Sequence, residues 1–212
     1  METFTPNTEN SGHQITEVLP IDLPTEAEAQ AALRLLLRFI GEDPDREGLQ
    51  GTPDRITRMW REIFRGYRND EKPKITTFEN EYKSTDIVFD SGDYYSMCEH
   101  HILPFFGKYY FAYIPSPTGR ILGISKVARV VEYCAAKLQL QERLAQEIIY
   151  TLSEALSHDC LGMAILMRGQ HLCKTMRGVK NKGEMTVCHL SGAFKDPKVK
   201  EEFYHLIKVQ NG

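Results

Sequence analysis

Apolar residues first recur at helical spacing at Ala32, Leu33, Leu36, Leu37 and Ile40, which predicts an amphipathic helix. Thr25, with Glu28 three residues on, reads as its capping box, and Gly41 as its end. A second helix is expected from Thr52-Pro53, with Ile56, Met59, Trp60 and Ile63 on one face and Gly66 closing it. Residues 1–24 are polar and aperiodic and predict a mobile arm, while Asn69 to Lys74, with Pro73, reads as a linker.

From Ile75 the hydrophobic period shortens. Ile87-Val88-Phe89, Tyr94-Tyr95 and Lys108 to Ile114 read as strands, the last bounded by Gly107 and Pro115. Two helices follow. Ser125 is expected to cap one that carries Val127, Val130, Val131, Cys134 and Ala135. The other, Gln141 to Leu156, carries Leu144, Ile148, Ile149, Leu152 and Leu156. Gly162 to Met167 predicts a buried strand and Thr186 to Phe194 a weaker one; Asp196-Pro197 opens a last helix through Phe203, Leu206 and Ile207. This order predicts an α+β fold, an antiparallel sheet with two helices on one face, plus an N-terminal helical hairpin. The expected divisions are an arm (1–24), a helical part (25–74) and a main domain (75–212).

Composition narrows the class. The 212 residues are 42% hydrophobic and 26% charged, ordinary for a globular chain. A net charge of -3 argues against a non-specific nucleic-acid binder but leaves room for a local basic pocket. No apolar run approaches the roughly 18 residues of a membrane span. The start, Met1-Glu2-Thr3-Phe4-Thr5-Pro6, lacks the features of a secretory or transit signal, so a cytoplasmic location is expected. Five scattered cysteines then read as buried thiols or metal ligands rather than a disulfide framework.

The densest chemical cluster is Cys98-Glu99-His100-His101. A Cys and a His three residues apart can reach one ion from a tight turn, and borderline-soft Zn²⁺ accepts thiolate and imidazole alike. Cys173 is the best third ligand, because His171 precedes it by two residues and repeats the pairing. Three protein ligands leave a position open, the arrangement of a catalytic rather than a structural zinc site. The competing reading is plain packing, since C-x-x-H arises by chance and free cysteines are commonly buried hydrophobes. Cys134 and Cys160 read as packing residues in apolar helical surroundings, and His13 and His158 as surface histidines.

Four collinear motifs carry a resemblance. Ser96-Met97-Cys98-Glu99-His100-His101 before Pro104-Phe105, and Gly123-Ile124-Ser125-Lys126-Val127-Ala128-Arg129, resemble GTP cyclohydrolase I. So do Gln139-Leu140-Gln141-Glu142-Arg143-Leu144, and His171-Leu172-Cys173 leading into Met176-Arg177-Gly178-Val179. The match begins near Glu47-Gly48-Leu49 and Thr52-Pro53-Asp54-Arg55 and runs to the last helix. The resemblance implies a tunnelling (T-fold) domain and a homodecamer with active sites at subunit interfaces. It also implies hydrolytic opening of the GTP imidazole ring, with release of formate and formation of 7,8-dihydroneopterin triphosphate. It places zinc on Cys98, His101 and Cys173, and acid–base roles on His100 and His171. Guanine would be read by Glu142, whose carboxylate can accept from N1–H and the N2 amine together; without the resemblance, Glu142 reads as half of a solvated Glu/Arg face. Ser125, Lys126, Arg129, Arg177 and Arg55 match the positions for ribose and triphosphate, Arg55 reaching a neighbouring subunit's site. Lys174, Lys180 and Lys182 read as solvated charge.

One segment departs from the family pattern. Where a hydroxyl-rich strand is usual, this chain has Glu184-Met185-Thr186-Val187-Cys188-His189 and is one residue shorter. Either the change is tolerated, or Cys188 or His189 reaches the metal and closes its open position. The alternatives to an active enzyme are a non-catalytic homologue that binds GTP or pterin as a regulatory or assembly subunit, and a divergent T-fold enzyme on a related purine or pterin.

Overall fold

The computed structural model describes residues 23–211, so the arm expected over residues 1–24 falls almost wholly outside the described residues, as does His13. The chain divides into two compact units at Phe64/Arg65. In the first, α1 (Glu26–Phe39) starts from a complete capping box, Thr25 and Glu28 satisfying each other's backbone N–H groups. α2 (Thr52–Ile63) has proline in its first turn and is tied to α1 by Arg61 and Glu26 at 2.7 Å. Gly66 does not end this helix, which stops at Ile63; it lies instead in a 3₁₀ turn of the second unit. There a Cβ would meet the Tyr133 carbonyl oxygen at 2.4 Å, so the residue is glycine because of a close approach rather than a cap.

The second unit pairs a small antiparallel sheet, β1 (Thr77–Glu79) with β4 (Arg120–Leu122), and a five-stranded one. The larger has the order β5 (Leu138–Gln139), β2 (Val88–Cys98), β3 (Pro104–Pro115), β6 (Cys160–His171), β7 (Met185–Leu190). Its pairings are antiparallel except for the short β2–β5 contact. Between β3 and β6 come α3 (Lys126–Ala135) and α4 (Gln141–Ala155); α5 (Leu172–Thr175) follows β6, and α6 (Pro197–Asn211) closes the chain. The β2-β3-α3-α4-β6-β7 succession is the expected α+β arrangement, an antiparallel sheet with two helices inserted between its inner strands.

Alternation along the strands builds two cores. Tyr109, Phe111, Tyr113, Met163 and Ile165 pack with Val127, Val130, Leu144 and Ile148 of α3 and α4. The intervening Tyr110, Ala112, Ile114 and Ala164 pack with Phe194, Phe203 and Ile207. Two helices thus cover one face, as expected, and α6 covers part of the other. Each fully buried side chain of this kind contributes about 1.5–3 kcal/mol.

β2 is one continuous strand where the sequence predicts two short ones. The polar Asp90 to Asp93 stretch looks like a turn, but its carboxylates have cross-strand partners. Tyr109 Oη donates to Asp90 at 3.0 Å, and Lys108 Nζ to Asp93 at 3.0 Å. Ser125 precedes α3 but makes no side-chain capping bond, because its backbone is already helical (φ -84°, ψ 0°). Cys160 is buried as expected, though it opens β6 rather than lying in a helix, and His158 is half-buried, with Nδ1 2.9 Å from Ser153 Oγ. No helix among the described residues is long and apolar enough to cross a membrane.

Candidate active site

The site forms where β2, β3 and β6 end together. Cys98 is the last residue of β2, and the chain turns back at once into β3. Cys98 N–H donates to the Leu103 carbonyl at 2.9 Å and Ile102 N–H to the Cys98 carbonyl at 2.8 Å. Ile102 accepts a left-handed conformation (φ 50°) to make this turn, a strained geometry for a β-branched residue. On the far side of β3, Phe105 pairs with His171, the last residue of β6, and α5 carries Cys173. The central strand therefore brings together two clusters that lie 70 positions apart in the chain.

The ligand atoms of Cys98, His101 and Cys173 all lie within 4.8 Å of one another. Cys98 is buried, Cys173 half-buried and His101 exposed. Burial and the adjacent Cys98 sulfur push the Cys173 thiol up. Two sulfurs and an imidazole at this spacing fit a zinc ion, with thiolate formation coupled to metal binding. Arg177 Nη1 donates to His101 Nε2 at 2.8 Å. Cys188 and His189 do not join the group. Cys188 Sγ lies 3.5 Å from Tyr204 Oη on the α6 face, and His189 pairs with Ile165 on the α4 face. Cys188 faces away from the cluster, and His189, opposite Ile165, stands six residues back along β6 from His171, so neither would add a ligand.

His171 is held by two contacts. Its ring stacks on Phe105 at 4.6 Å and 7°, and its Nε2 lies 2.8 Å from Gln141 Oε1. Burial lowers its pKa from the ordinary value, an effect opposed by the Glu142 carboxylate and reinforced by Lys174. Glu142 is exposed in the first turn of α4, beside the buried Gln141. His100 is exposed, its ring edge-on to His101 at 6.2 Å. Glu99, just before His100, pairs with Arg143, which also donates to Gln139 Oε1 at 2.9 Å and the Leu138 carbonyl at 3.0 Å. The metal loop is thereby pinned to the start of α4.

Ser125, Lys126 and Arg129 stand at the start of α3, and Arg177 just after α5. Arg55 is exposed on α2 of the helical unit. Lys174 Nζ donates to the Gly183 carbonyl at 3.0 Å, and Glu184 is paired with Arg168 at 2.6 Å. Sequence reasoning missed Gln141, Phe105 and Arg143 as residues of the site. All three lie in motifs already noticed, Gln141 and Arg143 on either side of Glu142 and Phe105 in Pro104-Phe105, but residue type alone gave none of them a role.

A family model described as GTP cyclohydrolase I matches residues 29–208. The chain is 49% identical over 178 residues to GTP cyclohydrolase 1 of Caldanaerobacter subterraneus subsp. tengcongensis, covering 83% of this chain and 93% of that one. It is 48% identical over 178 residues to GTP cyclohydrolase 1 of Thermoanaerobacter pseudethanolicus, with the same 83% and 93% coverage. Against GTP cyclohydrolase 1 of Streptococcus agalactiae the identity is 37% over 188 residues, covering 88% of this chain and 99% of the relative. On its motifs, its sheet and this agreement along nearly the whole length of its relatives, the chain belongs to the GTP cyclohydrolase I family.

Proposed function

We propose that the chain hydrolytically opens the imidazole ring of GTP, releases C8 as formate and forms 7,8-dihydroneopterin triphosphate for pterin or folate biosynthesis. The observation that carries this reading is the convergence of Cys98, His101 and Cys173 within 4.8 Å, with His171 two residues from Cys173. Zinc held by these three residues supplies Lewis acidity and a water activated near neutral pH.

The chain's own groups supply the remaining chemistry. Glu142 accepts from guanine N1–H and the N2 amine, a charge-assisted pair that selects guanine over adenine. His171 moves the proton that ring opening requires, imidazole being suited to transfer near neutrality. His100 is the second acid–base group. Lys126, Arg129 and Arg177 bind the triphosphate, Ser125 adds a hydroxyl donor, and Arg55 serves a neighbouring subunit of a homodecamer. Several of these groups stand in exposed positions, which suits a site completed by a second subunit.

The test is to incubate zinc-loaded protein with GTP and follow formate release together with the ultraviolet and fluorescence signal of the pterin. Turnover with both products is expected. Its absence in fully metallated protein would sink the proposal and favour a binding-only homologue.

A further inference from the structure

We propose that Gln141 fixes the tautomer of His171, so that Nδ1 is the ring nitrogen that exchanges a proton with the substrate. The argument runs through hydrogen-bond polarity. Gln141, 1% exposed, opens α4. Its Nε2 lies 3.0 Å from the Met167 carbonyl oxygen and 3.2 Å from that of Met185. Carbonyl oxygens only accept, so the amide nitrogen must face them and the amide cannot be turned around. Oε1 is then the atom 2.8 Å from His171 Nε2. An amide oxygen also only accepts, so Nε2 must carry the hydrogen. A neutral imidazole has one N–H, which leaves the lone pair on Nδ1.

Backbone supplies the reference points. Met167 lies in β6 and Met185 opens β7, so the tautomer is set by two neighbouring strands. The Phe105 ring at 4.6 Å holds the imidazole plane. Gly169 leaves the space open, since a Cβ there would lie 3.2 Å from Gln141 Oε1 and 2.2 Å from Tyr94 Oη.

The chemical consequence rests on the proton-transfer role given to His171 above. As the attacking water forms its bond to C8, Nδ1 takes the proton that water loses. As the C8–N bond breaks, its electron pair goes to the ring nitrogen, and Nδ1 hands the proton to that nitrogen. The hydrogen on His171 Nε2 stays there, donated to Gln141 Oε1 throughout, and the carbonyl dipole of that amide steadies the transient imidazolium. Gln141 touches no reacting atom and is a positioning residue.

The experiment uses zinc-loaded full-length protein carrying ¹⁵N-histidine, with the His171 signals identified by their loss in His171→Ala. At a pH of about 8, where free imidazole is neutral, a protonated-type signal is expected at Nε2 and an unprotonated type at Nδ1. The reverse assignment overturns the proposal. Gln141→Leu should mix the two forms and lower kcat on the order of 100-fold, the scale of acid–base catalysis, with KM for GTP unchanged. If the variant folds and retains both the wild-type nitrogen pattern and kcat, Gln141 is only a packing residue and the proposal fails. If it does not fold, the wild-type spectrum decides alone. Turnover retained by His171→Ala would overturn the catalytic role of Nδ1 and the reading of His171 beneath it, while the spectrum reports the nitrogen assignment independently.

Discussion

Tyr94 Oη is a buried side-chain oxygen without a hydrogen-bond partner among the described residues. Its ring packs edge-on against Phe105, 6.1 Å between centroids, and burial followed by the Glu184 charge pushes its pKa up. An unsatisfied buried hydroxyl costs about 1–3 kcal/mol. Tyr94→Phe should therefore raise the thermal midpoint by an amount equivalent to roughly 1 kcal/mol or more, and a lower midpoint would reveal a hidden partner. Glu142 invites a sharper test because it is itself the charged acceptor in its proposed bonds to guanine. Glu142→Ala should weaken GTP binding by roughly 10- to 100-fold, the equivalent of losing a charged hydrogen bond. Titration calorimetry with inosine triphosphate, which lacks the N2 amine, adds a control. The wild type should discriminate against it and Glu142→Ala should not; equal discrimination by both would remove Glu142 from guanine recognition.

At the scale of elements, what was legible depended on whether the signal was local. The α1 capping box and the start of α4 needed only neighbouring residues, and both appear where the pattern put them. The middle of β2 misled because Asp90 and Asp93 are satisfied across the sheet, by residues 19 and 15 positions away. The three metal-ligand candidates were legible because residue chemistry survives without geometry, whereas the hold of Gln141 on His171 depends on two strand carbonyls that no side-chain pattern announces. β7 shows the same limit. Its Cys188-His189 pair looked like a threat to the metal site, and the β6–β7 register, with His189 opposite Ile165 rather than near His171, decides that it is not. His189 nevertheless has a consequence for stability. Burial lowers its pKa from the ordinary 6.5, with Lys195 acting in the same direction. Below pH 6.5 the unfolded chain thus takes up a proton that the folded chain resists, and stability falls as pH drops toward the folded value. Urea midpoints at two pH values on either side of this range should fall on acidification, and fall less in His189→Gln. Equal falls in both proteins would clear His189 of the effect.

At the scale of the whole molecule, the exposed apolar side chains near the proposed phosphate ligands bear on assembly. Ile124 is 95% exposed immediately before Ser125, and Val179 is 79% and Met176 60% exposed on either side of Arg177-Gly178. Single exposed apolar residues are common. Here, however, they flank two of the basic segments proposed to bind triphosphate, where an enzyme would otherwise gain from polar, water-accessible loops. A neighbouring subunit covering them would desolvate these residues and the bound phosphates together, strengthening every charge-assisted contact in the site. Ile124→Asp would then place a charge against that neighbour without touching Cys98, His101 or Cys173. The expected result is a shift to smaller species by size-exclusion chromatography with light scattering. Zinc content should stay at one per chain while turnover falls, because the proposed metal ligands come from a single chain and the proposed phosphate site would be completed between chains. An unchanged oligomer with full activity would place the subunit contact elsewhere on the surface.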